Sequence, residues 1–300
     1  MTSDKINELK NRFSVDGVTF EDGASGPLIR IATPACRAAV TLHGAHVVSY
    51  IPAGAQEVIF VSEKAVFAQG TPLRGGIPVC WPWFGDHPLD SGMYSHGFSR
   101  RVMWEVASVS RDGGDAVVVF SLSGQKDEFP AFPQPFVARF TARFGAALEV
   151  SLETDNTGSA PFSVSSALHT YFRIGDIDTV RVTGLDAVTY QDDTDAGKRG
   201  VQNGAIVFAG EFDRVYLDTQ ATCLIEDPLM KRQIAVEKSG SATTVVWNPG
   251  PDLAAKMKDM DDGEYKKMLC VEATNALEDS REVPPGVPHR LMQRISVTPL

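Results

Sequence analysis

The chain has 300 residues, 43% of them hydrophobic, and 28 Lys and Arg against 38 Asp and Glu give a formal net charge of −10. That balance speaks against nucleic acid as a partner, whose phosphate backbone demands a basic face, yet it leaves room for a small phosphorylated ligand held by one or two arginines. No apolar run reaches the roughly eighteen residues of a membrane span, and the opening MTSDKINELKNRF is charged and lacks an apolar centre, so neither a span nor a secretory signal is expected.

Residues 4–13 read as a short helix with Asp4 as its N-cap and Ile6 and Leu9 on one face. Residues 1–17 are therefore expected to form an N-terminal helical flap. From residue 18 the pattern changes to short apolar runs separated by turn residues: PLIRIA, CRAAVTL, HVVSYI and EVIFV. No helix of ten residues separates them, which predicts antiparallel sheets rather than βαβ units.

Residues 71–101 break this rhythm. They hold two Trp, three Phe or Tyr, four Pro, five Gly, two His and three Arg, with no period of 2 or 3.6. Pro and Gly at this density fix an irregular backbone, and a long loop of this kind is functional or disordered. The aromatics argue against disorder. A packed loop presenting cations and histidines is the expected floor of a binding site.

Beyond the loop, MWEVASVS, AVVVFSL and FVARFTARF are successive strands. In the last, Phe136, Ala138, Phe140, Ala142 and Phe144 share one face, the signature of half-burial. ALEVSLETDN follows after the Gly145 turn as its hairpin partner. Residues 161–174 read as one strand carrying Ser163, Ser165, Ala167, His169 and Tyr171 on one face, the wall of a wet cleft. TVRV, AIVF, RVYL, TCLIED and QIAVE are shorter strands, and the polar residues 191–200 are a surface loop. Residues 243–250 form a strand ending in a turn, residues 251–260 a short helix with Pro251 in its first turn. MLCVEATN puts Cys270, Glu272 and Thr274 on one face, and HRLMQRISVTP is the last strand. With no repeat, linker or low-complexity tract, one domain covering 1–300 is expected.

Four cysteines, Cys36, Cys80, Cys223 and Cys270, lie far apart in apolar surroundings. They are expected to be buried free thiols in a reducing, cytoplasmic setting. His43 and His46 in LHGAH, with His87 and His96, have weak metal-ligand spacing, and no metal site is expected. No G-x-S-x-G elbow, P-loop or dinucleotide fingerprint is present. Two titratable residues remain that interrupt apolar strands, His169 and Glu272. A carboxylate on a buried strand is costly unless paired or functional. Were the two to meet, one would act as base while the other donates a proton, as chemistry at a hemiacetal requires; the spacing alone does not bring them together.

LRGGIPVCWPWFG, SHGFSR, LHTYFRI, FDRVY, VVWNPG and MLCVEATN, in that order, resemble the aldose 1-epimerase (galactose mutarotase-like) superfamily, and within it the glucose-6-phosphate 1-epimerase branch. The resemblance spans nearly the whole chain. It implies an all-β fold, a β-supersandwich of large antiparallel sheets with a few short helices, and cofactor-independent interconversion of α and β anomers. It makes Glu272 the base on the anomeric hydroxyl and His169 the acid on the ring oxygen, in an environment expected to raise the histidine's pKa. His96 would hydrogen-bond the sugar near the ring oxygen and Asp213 would accept from its hydroxyls. Arg74 and Arg100 together would hold the phosphate of a hexose phosphate, the expected small-molecule partner of a chain expected to be monomeric. An epimerase of unphosphorylated aldoses and a non-catalytic sugar-phosphate binder stay open as alternatives.

Overall fold

The computed structural model describes residues 2–300, with side chains from Asp4 onward. Its strands form a β-supersandwich built on two eight-stranded antiparallel sheets. One contains Glu105–Asp112, Asp115–Gly124, Phe136–Phe144 and Leu148–Asn156 as a meander and is extended through His289–Pro299, Arg232–Ser239, Cys223–Asp227 and Arg181–Thr183. The residues predicted to face inward do so: Phe136, Ala138, Phe140, Ala142 and Phe144 are all at most 1% exposed. Phe140 sits opposite Phe120 and Leu152 on the two flanking strands. Truncating such a residue to Ala costs about 3–5 kcal/mol, because the neighbouring sheet cannot collapse into the void.

The second large sheet runs Lys198–Val201, Thr189–Asp192, Phe212–Tyr216, Thr243–Asn248, Met268–Asn275, Ser166–Leu168 and Val79–Cys80, and Tyr171–Arg173 also pairs with Met268–Asn275. Met268–Asn275 is buried at all eight positions, so it lies under structure on both faces. Gln293 of the first sheet, itself fully buried, donates to the carbonyl of Val271 at 3.0 Å and accepts from the hydroxyl of Thr170. This polar clasp ties the sheets together between apolar layers. A four-stranded sheet, Val18–Gly23, Gly26–Ala32, Cys36–Thr41 and His46–Pro52, packs into the same core cluster, as do Ile6 and Leu9.

Several boundaries differ from the sequence reading for identifiable reasons. The first helix runs Thr2–Arg12, so Asp4 lies within its first turn instead of capping it; residue 1 lies outside the described residues. The EVIFV run forms no strand. The Glu57 carboxylate accepts from the backbone N–H groups of Tyr50, Val58 and Ile59 at 2.8–3.0 Å, which consumes donors a ladder would need, and only the isolated bridges Ile59↔Phe172 and Val61↔Gly75 remain. AIVF likewise makes one bridge, Val182↔Ile206. Residues 191–200 are a hairpin instead of a loop, Thr189–Asp192 turning through Asp193–Asp195 into the edge strand Lys198–Val201. The helix predicted over 251–260 stops early, at Gly250–Ala254. Residues 71–101 contain two short regular pieces, Val79–Cys80 and the single turn Ser99–Arg101.

Candidate active site

The 161–174 strand is broken into Phe162–Val164, Ser166–Leu168 and Tyr171–Arg173. At the second break the chain leaves the ladder. The His169 N–H donates to the Pro78 carbonyl at 3.1 Å and the Thr170 N–H turns back to Leu168 at 3.0 Å. The register nevertheless carries through, with Leu168 opposite Ala273 and Tyr171 opposite Cys270. His169 is thereby brought opposite Glu272, the relation of closest cross-strand side chains. Its Nδ1 lies 3.2 Å from Glu272 Oε1.

These two residues form the floor of a cavity of about 230 Å³. The sheet contributes His169, Tyr171, Asp213, Val245, Trp247 and Glu272; the 71–101 loop contributes Arg74, Phe84, Ser95, His96 and Arg100; Asp259 reaches in from beyond the short helix. All six residues singled out from the sequence therefore line one cavity. Strand pairing explains the sheet's share, since Asp213 is opposite Trp247, Trp247 opposite Cys270, and Val245 opposite Glu272.

Glu272 is 1% and His169 8% exposed. Burial, reinforced by Asp213, pushes the Glu272 carboxyl well above its usual range against an opposing pull from Arg100. Burial first, then His96 beside it and the charges of Arg100 and Arg74, hold His169 well below its ordinary value. The expected raised histidine pKa is thus corrected: the carboxylate partner is present, but desolvation and the nearby cations outweigh it. Both shifts favour the neutral forms of the two groups. Neither His169 Nδ1 nor the Glu272 oxygens have a hydrogen-bond partner of proper geometry, so the pair retains unused capacity facing the cavity. The His169 ring stacks on Tyr171 at 4.9 Å and 8° and meets Trp247 edge-on at 6.1 Å, which fixes its plane.

The loop is held by its own backbone and aromatics. Gly76 donates to Phe60 at 2.7 Å and Ile77 to Val47 at 2.9 Å. Gly76 has φ +72°, and a Cβ there would stand 2.2 Å from the His46 ring, so only glycine lets the chain pass beside that buried imidazole. Trp81, fully buried, packs on Phe98 and Phe136. The N–H of Gly85 donates to His96 Nδ1 at 3.2 Å. Nδ1 is therefore the acceptor and the proton of this neutral imidazole sits on Nε2, available as a donor. Burial, then Arg100 and Arg74, lower the His96 pKa to about 3, which keeps it neutral.

The two arginines are placed differently. Arg74 donates from Nη1 to the Tyr171 hydroxyl at 3.0 Å and from Nε to Asp259 at 3.2 Å. Burial opposes its charge, and Tyr171 and Asp259 outweigh burial to raise its pKa. Arg100 donates to the Ser95 carbonyl at 3.0 Å, and its buried Nε has no partner. Arg101 turns aside, lying over the Tyr94 ring at 4.4 Å. Asp213 has its pKa raised to about 7 by burial and then by Asp193, Glu211 and Asp192.

His43 and His46 are occupied by the carbonyls of Arg101 and Gly75 at 3.1 and 2.7 Å. All four cysteines are buried and free. Among the described residues, one group has metal-ligand atoms gathered within 4.8 Å: His169, Cys270 and Glu272. Its Cys270 packs in an apolar cluster with Phe60, Tyr171 and Met268 and is not among the residues that line the cavity. Sequence reasoning missed Asp259, Trp247 and Ser95. An acid within the apolar-spaced PDLAAKMKDM stretch was the one available signal for Asp259.

The aldose 1-epimerase family model matches residues 27–296. The chain is 37% identical over 270 residues, 90% of each protein, to an Escherichia coli (strain K12) protein named "Putative glucose-6-phosphate 1-epimerase". It is 35% identical over 274 residues, 88% of this chain and 82% of the other, to a protein of the same name from Cenchrus ciliaris. Among solved structures, one described as a "putative mutarotase (YeaD)" from Salmonella typhimurium superposes with a TM-score of 0.90 at 32% identity, covering 99% of this chain and 100% of that one. A galactose 1-epimerase from Lactobacillus acidophilus, 14% identical with 94% and 98% coverage, shares the fold at a TM-score of 0.69.

Proposed function

The chain belongs to the aldose 1-epimerase family and is an epimerase, and from that footing we propose that its substrate is a hexose 6-phosphate, with glucose 6-phosphate first among them. The observation that carries the reading is the placement of an acid–base pair and two arginines in one cavity. Glu272 takes the proton of the anomeric hydroxyl as the bond from C1 to the ring oxygen breaks, and His169 gives a proton to that oxygen. The open aldehyde rotates about its bond to C2. Closure on the other face returns both protons, so atoms balance and no cofactor takes part in the cycle.

The working form needs Glu272 ionised and His169 protonated, which holds the same single proton as the neutral pair that burial favours. A phosphate dianion between Arg74 and Arg100 offsets two of the charges that depress His169, favouring that transfer. His96 donates from Nε2 toward the ring oxygen, and Asp213 accepts from sugar hydroxyls. We take the chain to fold as one domain, since one core cluster extends from Ile6 to Ile295, and to work as a monomer; the four free cysteines fit a cytoplasmic setting.

The test is anomer exchange by magnetisation-transfer NMR with catalytic amounts of protein. Greater acceleration of glucose 6-phosphate than of glucose or galactose in parallel samples is the expected result. Equal or greater acceleration of the free sugars would return Arg74 and Arg100 to a structural role.

A further inference from the structure

Arg74 and Arg100 face the same cavity but differ in what neutralises them. No carboxylate lies within ion-pair reach of Arg100 among the described residues, whereas Arg74 Nε is held by Asp259 Oδ2 at 3.2 Å. The Asp259 side chain is 30% exposed at the cavity. We propose that Asp259 sets the affinity of the phosphate subsite: it is a resident counter-anion of Arg74 that an incoming phosphate must share or displace. The inference rests on the reading of Arg74 and Arg100 as phosphate ligands.

The carboxylate of Asp259 is not needed to hold its segment in place. The next residue, Met260, is 2% exposed and packs with Phe60, Tyr171, Met268 and Cys270. Beyond it, the Asp261 N–H donates to Glu264 at 2.8 Å, and Asp261 pairs with Lys64. Among the described residues, Arg74 is the hydrogen-bond and ion-pair partner of the Asp259 side chain. The segment is thus pinned by its neighbours, and Asp259 contributes a charge.

That charge sets how readily an anion occupies the subsite. A free phosphate ion gains from the arginines alone, and it meets one uncompensated cation and one already neutralised. A hexose phosphate meets the same opposition but also gains from His96, Asp213 and the acid–base pair at the other end of the cavity. Asp259 therefore weakens both ligands by a similar factor: their affinity ratio is unchanged, and free phosphate, which lacks the sugar's contacts, occupies the site less. A like charge beside the bound dianion, partly screened by solvent, is worth on the order of tenfold in affinity.

The experiment is calorimetric titration of inorganic phosphate into the wild type, Asp259→Asn and Asp259→Ala, with KM for glucose 6-phosphate and for glucose measured on each. The expected result is a dissociation constant for phosphate about tenfold lower in both variants, a KM for glucose 6-phosphate lowered in parallel, and a KM for glucose unmoved. Phosphate binding that is unchanged or weaker in both variants overturns the inference and makes Asp259 a residue that merely positions Arg74. If the wild type shows no preference for the phosphorylated sugar, the substrate reading fails; tighter phosphate in the variants would still uphold Asp259 as the group that suppresses anion binding.

Discussion

Nδ1 of His169 stands 3.2 Å from Oε1 of Glu272, in the middle of a sheet and on a cavity floor, and no hydrogen bond of proper geometry satisfies either atom. A buried carboxyl without a partner lowers stability, so its chemistry must account for its presence. Replacing Glu272 by Gln is expected to lower kcat for anomer exchange by at least about a hundredfold, while the melting temperature stays level or rises. Exchange NMR and thermal unfolding on the same preparation check both halves. Near-native exchange in the variant would remove Glu272 from the mechanism.

Asp213 gives a pH dependence with a definite sign. Its carboxyl has a folded pKa of about 7 against an ordinary 3.8. Between those values the folded protein keeps a proton that the unfolded chain releases, so stability from this group is present at low pH and lost as pH rises toward 7. Asp213→Asn has no such loss. Relative to the wild type it should gain about 1–2 kcal/mol between pH 4.5 and pH 8, a figure reduced for partial exposure. Parallel melting curves at those two pH values decide it; a constant offset would refute the raised pKa.

The arginines should be unequal in kinetics as they are in structure. Arg100, with no carboxylate partner and an unbonded Nε, has more to offer a phosphate than Arg74. Arg100→Ala is expected to raise KM for glucose 6-phosphate by about ten- to hundredfold, and Arg74→Ala by less, because part of Arg74's hydrogen-bonding capacity is already taken by Tyr171 and Asp259. Neither should move KM for glucose. A matched rise for both sugars would show that the arginines shape the cavity without binding phosphate.

At Gly97 the constraint is steric. Its φ is +69°, and a Cβ would stand 1.9 Å from the carbonyl oxygen of Trp81. Gly97→Ala is expected to lower stability by about 2–4 kcal/mol and to displace His96 next to it. Denaturant unfolding measures the first effect. A neutral substitution would mean that the loop yields at this point.

How far the sequence foretold this arrangement depended on whether a signal was periodic. Phe136–Phe144 and His289–Pro299 were legible in full because alternation needs no knowledge of the partner strand. EVIFV misled because Glu57, a residue of the run itself, takes backbone donors that a strand would use. At the site, His169 and Glu272 stood out as titratable residues in apolar strands, and family motifs singled out the other four. The sign of the His169 pKa shift was not legible, since it depends on Arg74 and Arg100, which reach it only in three dimensions. Asp259 was missed for the same reason: its partner lies 185 residues away.

Met268–Asn275, buried at every position, carries Glu272 and pairs with the segments that flank His169. On the proposed mechanism the acid–base pair thus belongs to the part of the molecule whose amides are expected to exchange most slowly with solvent, while Arg74, Arg100 and Asp259 sit on connecting segments expected to open at lower free energy. Under rising denaturant the two properties should separate. Preference for the charged sugar would fade first, and the remaining turnover would persist as a reporter of global unfolding.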